Sequence, residues 1–259
     1  MKFKPSLALL VGLSMPFLQA RGYDDHDKMR DDSDILEAAV VKNDIGAINR
    51  VLDVSPDRQE LLERGVCFAA ECGDLHLIHF FLSAGACVNG QYGGWSALHY
   101  AVKKGSNECV NMLLDAGADI DSRTYWCQVT PLFIAVEYKN IKMVKLLVAR
   151  GASLQVKSYW LKDTITHATV NARDGKILEY LLSINAPLNT RNNSDRTPVV
   201  HAAILEKIDL LKIILAYKPE FTWADQNKIE AHWKHGNENY RRTDRRSKII
   251  SLLDHSRNA

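Results

Sequence analysis

Thr130-Pro-Leu-Phe-Ile-Ala-Val136 is the stretch on which the reading of this 259-residue chain turns. Threonine before proline is a helix start: the hydroxyl can cap free N–H groups, and Pro131 takes the first helical position, where a missing N–H costs nothing. The same phrase returns as Ser96-Ala-Leu-His-Tyr-Ala-Val102, Thr164-Ile-Thr-His-Ala-Thr-Val170 and Thr197-Pro-Val-Val-His-Ala-Ala203. The starts lie 34, 34 and 33 residues apart. A second apolar cluster trails each block: Val110-Asn-Met-Leu-Leu114, Val144-Lys-Leu-Leu-Val148, Leu178-Glu-Tyr-Leu-Leu182 and Leu211-Lys-Ile-Ile-Leu215. Its spacing puts one apolar stripe on a second helix. A period of this size marks a repeat array and is read before any domain assignment.

Ala84-Gly-Ala-Cys87, Ala116-Gly-Ala-Asp119 and Arg150-Gly-Ala-Ser153 close three of the units. Gly85, Gly117 and Gly151 fit a helix end that needs positive φ. Taken together, TPLHxAA, a glycine, VxxLL and GAD resemble the ankyrin repeat. Two weaker copies lie upstream, one near Arg64 with Cys67-Phe-Ala-Ala70 and Ile78–Leu82, the other from Asp34 with Leu36, Ala39-Val40 and Ile48–Leu52. Asp34 and Glu37 have the spacing of a capping box.

The resemblance implies an all-α ankyrin-repeat solenoid of about six helix pairs, over 34–63, 64–95, 96–129, 130–163, 164–196 and 197–222. One pair cannot bury its own stripe, so stacking is obligatory. After Phe221 the pattern decays, and 223–259 reads as a degenerate capping repeat. Ile229, Trp233 and Gly236 fit its first helix, and Ile249 to Leu253 fit its second. The polar stretch Asn237 to Asp244 lies between them.

The start of the chain follows another rule. Lys2 and Lys4 precede the apolar run Leu7–Leu18, and Gln19-Ala20 offers a small residue before Arg21. That order matches a secretory signal peptide over 1–20, cut near Ala20, with 21–33 as a polar leader. The run is too short for a membrane anchor, which needs roughly 20 apolar residues. The expected location is the periplasm or the secreted space. In a eukaryotic secretory lumen Asn192-Asn-Ser194 would be a glycosylation sequon.

The chain has 33 basic and 31 acidic side chains, a formal net charge of +2. That balance gives no electrostatic reason to expect nucleic acid. No hydrolase elbow, phosphate loop or HExxH helix is present, so nothing argues for an enzyme or a cofactor. His99 and His167 occupy the TPLH histidine, which in the family is an internal hydrogen-bonding residue. His76 with His79, and His232 with His235, have metal-compatible spacing but no completing ligand, and solvated faces explain them better. Cys67 and Cys109 read as packing thiols, while Cys72, Cys87 and Cys127 fall where they could pair.

Aromatic residues carry the functional expectation. Counting four back from the repeat starts gives Tyr92, Trp126 and Trp160, and five back gives Tyr125 and Tyr159. These are finger tips, where ankyrin repeats normally carry Asn, Asp or Gly. Two of the fingers hold one extra residue. Trp95 lies nearby, and Tyr100 and Tyr138 are expected on the inner faces of first helices. Aromatic side chains dominate protein interfaces, so Tyr92, Trp95, Tyr100, Tyr125, Trp126, Tyr138, Tyr159 and Trp160 form the expected partner site.

The resemblance implies a monomeric recognition scaffold for a protein partner. By analogy with exported bacterial ankyrin proteins, the expected role is immunity against a secreted toxin such as a lipase effector of a type VI system. The alternatives are a periplasmic scaffold for an oxidative-stress enzyme, or a lipid or anion binder using Arg241-Arg242, Arg245-Arg246 and Lys248.

Overall fold

The computed structural model describes residues 32–235 and 244–258. The expected signal peptide, almost all of the polar leader, and Gly236 to Thr243 lie outside them. The described residues form fourteen helices and one short hairpin. In chain order these are α1 (Asp32–Val41), α2 (Ile45–Val54), α3 (Arg58–Cys72), α4 (Leu75–Ser83), β1 (Gln91–Tyr92), β2 (Trp95–Ser96), α5 (Ala97–Lys104) and α6 (Asn107–Asp115). They continue as α7 (Pro131–Glu137), α8 (Ile141–Ala149), α9 (Ile165–Ala172), α10 (Gly175–Ser183), α11 (Pro198–Ile204), α12 (Ile208–Ala216), α13 (Trp223–His235) and α14 (Asp244–Asn258).

The chain divides into two compact units. The first runs to Ala135 and includes Lys145–Ala152; the second holds Val136–Val144 and everything from Ser153 onward. In the first, α1 packs on α3 and α3 on α5, while α2, α4 and α6 each fold back on the helix before them. Leu36, Ile48, Leu62, Phe81, Leu98 and Leu113 are fully buried there. In the second unit α9 packs on α11 and α11 on α13, with α10 against α12 and α12 against α14. Trp233, Ile249 and Leu253 are buried beside Leu211 and Ile214, so α13 and α14 supply apolar surface that the last full pair would otherwise leave wet.

Local chemistry explains the ends. The second helix of most pairs starts on a short polar side chain that accepts its free N–H. Asp44 takes Ala47 N at 2.9 Å, Asp74 takes Leu77 N at 3.1 Å, Ser106 takes Cys109 N at 3.3 Å and Asp174 takes Ile177 N at 2.9 Å. Gly85, Gly117 and Gly151 hold φ of +97°, +89° and +95°, and Asn185 and Lys218 fill the equivalent positions at φ 61° and 51°. Asparagine tolerates that region better than lysine does.

Three expectations change. Helix α1 begins at Asp32, so Asp34 lies inside its first turn instead of capping it. A carboxylate in the first turn is favoured there by the positive helix end. Helix α3 starts at Arg58, ahead of Arg64, because Leu61 and Leu62 are buried and extend the apolar stripe backward. The buried Thr130 hydroxyl makes no hydrogen bond and is not a cap. Phe133 stands where His99 and His167 stand, so the ring nitrogen that receives a capping hydroxyl is missing. Thr197 does cap, taking Val200 N at 3.5 Å with Pro198 at the first helical position.

Candidate protein-binding site

The aligned aromatic positions do not share one environment. Between β1 and β2 the turn is only Gly93-Gly94, both at positive φ (58° and 79°), and Tyr92 pairs with Trp95 across it. A two-residue turn of that hand folds the ribbon tightly. Its aromatics land on the first unit's own helices. The Tyr92 ring meets Phe68 edge-on at 4.8 Å and has the Arg64 guanidinium 5.5 Å from its centre. Trp95 packs on Tyr100 at 5.6 Å and on His99 at 5.8 Å. Tyr100 is only 2% exposed and donates its hydroxyl to the Tyr92 carbonyl at 3.0 Å. Burial holds that phenol far above its ordinary pKa. Tyr100 therefore is a core residue, and Tyr92 and Trp95 are half-buried packing. Tyr100 leaves the expected partner site, while Tyr92 and Trp95 keep part of their surface exposed.

The next two fingers are built differently, and alike. Thr124-Tyr-Trp-Cys-Gln-Val129 closes by Thr124 N donating to the Val129 carbonyl at 3.0 Å and Val129 N donating to Thr124 Oγ1 at 3.2 Å. Ser158-Tyr-Trp-Leu-Lys-Asp163 closes by Ser158 N to the Asp163 carbonyl at 3.0 Å and Asp163 N to Ser158 Oγ at 3.1 Å. The fifth residue of each, Gln128 or Lys162, turns through φ 52°. The closing hydroxyls and carbonyls are buried, so the second and third residues are pushed outward.

Those residues are the Tyr-Trp pairs. Tyr125 and Trp126 meet edge-to-face at 5.1 Å and 87°, and Tyr159 and Trp160 at 5.2 Å and 82°. Trp126 is 70% exposed and Trp160 60%. Each pair belongs to its own unit. Tyr125 N donates to the Gly94 carbonyl at 2.9 Å, which fixes the first loop to the hairpin. Lys162 places its ammonium 5.1 Å over the Tyr159 ring. Tyr138, 49% exposed, lies in the turn after α7 and not on the inner face of a helix, beside Lys139 at φ 54°.

An exposed indole leaves up to about 150–250 Å² of surface in water that a partner can cover. At roughly 25 cal/mol per Å² that is several kcal/mol for each tip. Closed loops keep much of that gain, because less freedom is lost on binding.

The other candidates resolve into structure. Ser96 Oγ meets His99 Nδ1 at 2.7 Å, Ser96 N donates to the same nitrogen at 3.3 Å, and His99 Nε2 donates to the Val129 carbonyl at 3.2 Å. His167 repeats this with Thr164 (2.9 Å) and the Arg196 carbonyl (2.9 Å). One neutral tautomer satisfies every partner. Burial pushes His99 down to about 4 and His201, whose Nε2 meets Asn171 Oδ1 at 2.7 Å, down to about 3. His76 and His79 are exposed, and no group of three His, Cys, Asp or Glu among the described residues can hold a metal ion.

All five cysteines are free thiols. Burial raises Cys67 to about 12 and also raises Cys72, Cys109 and Cys127. Asn192 is buried, and its amide donates to Asp163 Oδ1 at 2.7 Å, so the folded chain hides that sequon. Arg246 pairs with Glu206 at 2.8 Å and covers Trp233, whereas Arg241 and Arg242 lie outside the described residues.

The ankyrin-repeat family profile matches three times, over residues 35–124, 67–158 and 132–225. The chain is an ankyrin-repeat protein. Among curated proteins, an E3 ubiquitin-protein ligase XBAT33 of Arabidopsis thaliana is 41% identical over 73 residues, 27% of this chain and 14% of the ligase. An L-asparaginase of Dirofilaria immitis is 44% identical over 55 residues, 21% of this chain and 9% of that enzyme. The chain thus spans a small part of the relatives it matches. Those matches are shorter than three repeats, and no whole-protein activity follows from them. Ankyrin repeats are typically interaction modules with protein partners, not catalysts, and the histidine ties and glycine turns above are what hold this one in shape. No helix among the described residues is long and apolar enough to cross a membrane.

Proposed function

We propose that this ankyrin-repeat protein is exported and binds protein partners, with Tyr125–Trp126 a contact tip of the first unit and Tyr159–Trp160 a contact tip of the second. The observation that carries the reading is the pair of closed loops, each holding an indole at least 60% exposed. Trp is a leading hot-spot residue, and here it stands on backbone that is already ordered. A secreted bacterial toxin of the lipase kind is the partner class proposed. Its support is the leader pattern at Lys2–Ala20 together with the analogy to exported bacterial ankyrin proteins.

The oxidative-stress scaffold has less support. Four of the five thiols are pushed toward the protonated form, which is the unreactive one. The lipid or anion binder loses Arg246 to its contacts with Glu206 and Trp233.

Capture from a total extract with the chain from Arg21 onward tests the reading, beside a Trp126→Ala/Trp160→Ala control. A dominant bound protein that the double variant releases supports it, and an unaffected one removes the tips from the site. Export is tested separately, by sequencing the N-terminus of the protein recovered outside the cytoplasm.

A further inference from the structure

The finger after α10, Asn192-Asn-Ser-Asp-Arg196, is one residue shorter than the aromatic loops and carries no ring. It closes on itself through Asn192 N to the Arg196 carbonyl at 3.0 Å. Asn192 Oδ1 accepts Ser194 N at 3.0 Å and Arg196 N at 3.1 Å. With its oxygen committed, the Asn192 amide nitrogen reaches Asp163 Oδ1 at 2.7 Å. Asn193 adds two bonds: its backbone N–H donates to the Leu161 carbonyl at 2.7 Å, and its side-chain Nδ2 donates to the Trp160 carbonyl at 2.7 Å.

Three donors from two adjacent asparagines thus end on Trp160, Leu161 and Asp163, all in the second unit. Loop tips are ordinarily more mobile than the elements they connect. This one is tied at its exposed third residue and again at its buried last residue. Asparagine suits both jobs, since one amide supplies acceptor and donor together.

We propose that Asn192 and Asn193 are positioning residues: they hold the Trp160 indole ready for the partner without touching the partner's anchor themselves. This rests on the reading of Trp160 as a partner contact. Removing the Asn193 side chain removes one of these three ties and lets the loop sample other shapes. Affinity then falls about three- to tenfold, the effect of re-ordering one large side chain on binding.

The test separates the brace from the binding reading. The full chain is prepared with 5-fluorotryptophan at its five Trp positions, and the Trp160 fluorine line is assigned with Trp160→Phe. In Asn193→Ala, and equally in the isosteric Asn193→Asp, which has no side-chain N–H, the Trp160 line moves toward its unfolded-chain position. The other four lines stay in place. A Trp160 line that does not move in either variant overturns the proposal. So do five lines that move together, because Asn193 would then serve the fold at large. The captured partner gives the second arm. Affinity that drops with Asn193→Ala in the wild-type background, but not on top of Trp160→Ala, supports the positioning role. Additive losses in the two backgrounds contradict it. If Trp160→Ala binds like wild type, the site reading fails while the fluorine result still decides the brace.

Discussion

Tyr125 donates its backbone N–H to the Gly94 carbonyl at 2.9 Å, and a side chain on Gly94 would begin 2.8 Å from the Tyr125 Cβ. Gly94 also holds φ +79°, where an L-residue is strained. The hairpin turn and the first aromatic loop thus fit only without a Cβ. Gly94→Ala should destabilise the first unit by about 1–3 kcal/mol, combining overpacking with backbone strain. Urea unfolding of the full chain measures it, and an unchanged midpoint would mean the turn relaxes freely.

Exposure separates Trp126 and Trp160 from Tyr100. Either Trp→Ala change should alter stability by less than about 0.5 kcal/mol, as surface substitutions do. Tyr100→Ala should cost about 3–5 kcal/mol by leaving a cavity under Trp95. Equal losses across the three in thermal unfolding would contradict the assignment of tip and core.

The array period is legible in the sequence because the helix starts and ends of a repeat are set by local signals such as Pro131, Pro198 and Gly117. The caps at Asp44, Asp74, Ser106 and Asp174 are equally local. What sequence alignment hides is the orientation of aligned aromatics. Tyr92 and Trp126 share a register position, yet a two-residue turn lays one on Phe68 while a six-residue loop lifts the other into water. The extra residue in two of the fingers was the available signal. Tyr100 misleads for a related reason. Its burial depends on the hairpin folding over it, a contact that spacing along one helix does not encode.

Acid should weaken the fold through its buried histidines. His99 and His201 have folded pKa values near 4 and 3, below the unfolded 6.5, and that of His167 is also lowered. For such rings the unfolded chain binds more protons, so their contribution is complete above pH 6.5 and is lost as pH falls toward 4. For His99 alone the loss is on the order of 3 kcal/mol, at about 1.36 kcal/mol per pH unit. Asp163 opposes this: burial raises its pKa, so its effect on stability worsens as pH climbs through that raised value. Melting temperature followed from pH 7 to 4.5 should fall, and His99→Gln should flatten part of the slope. A flat profile in the wild type would contradict neutral burial.

Thiol reactivity should follow exposure. At neutral pH a thiol reagent should label Cys72 and Cys87, the exposed pair, while Cys67 and Cys109 stay unmodified until denaturant is added. Mass spectrometry of the labelled peptides reads this directly. Fast labelling of Cys67 in the native chain would overturn its placement and revive a redox role.

Partner binding by the aromatic tips is measured best as affinity for the captured partner, titrated with wild type, Trp126→Ala, Trp160→Ala and the double variant. At least one single change should lose about 2 kcal/mol or more of binding, with folding unaltered. Wild-type affinity in the double variant would contradict it and place the partner elsewhere on the repeats.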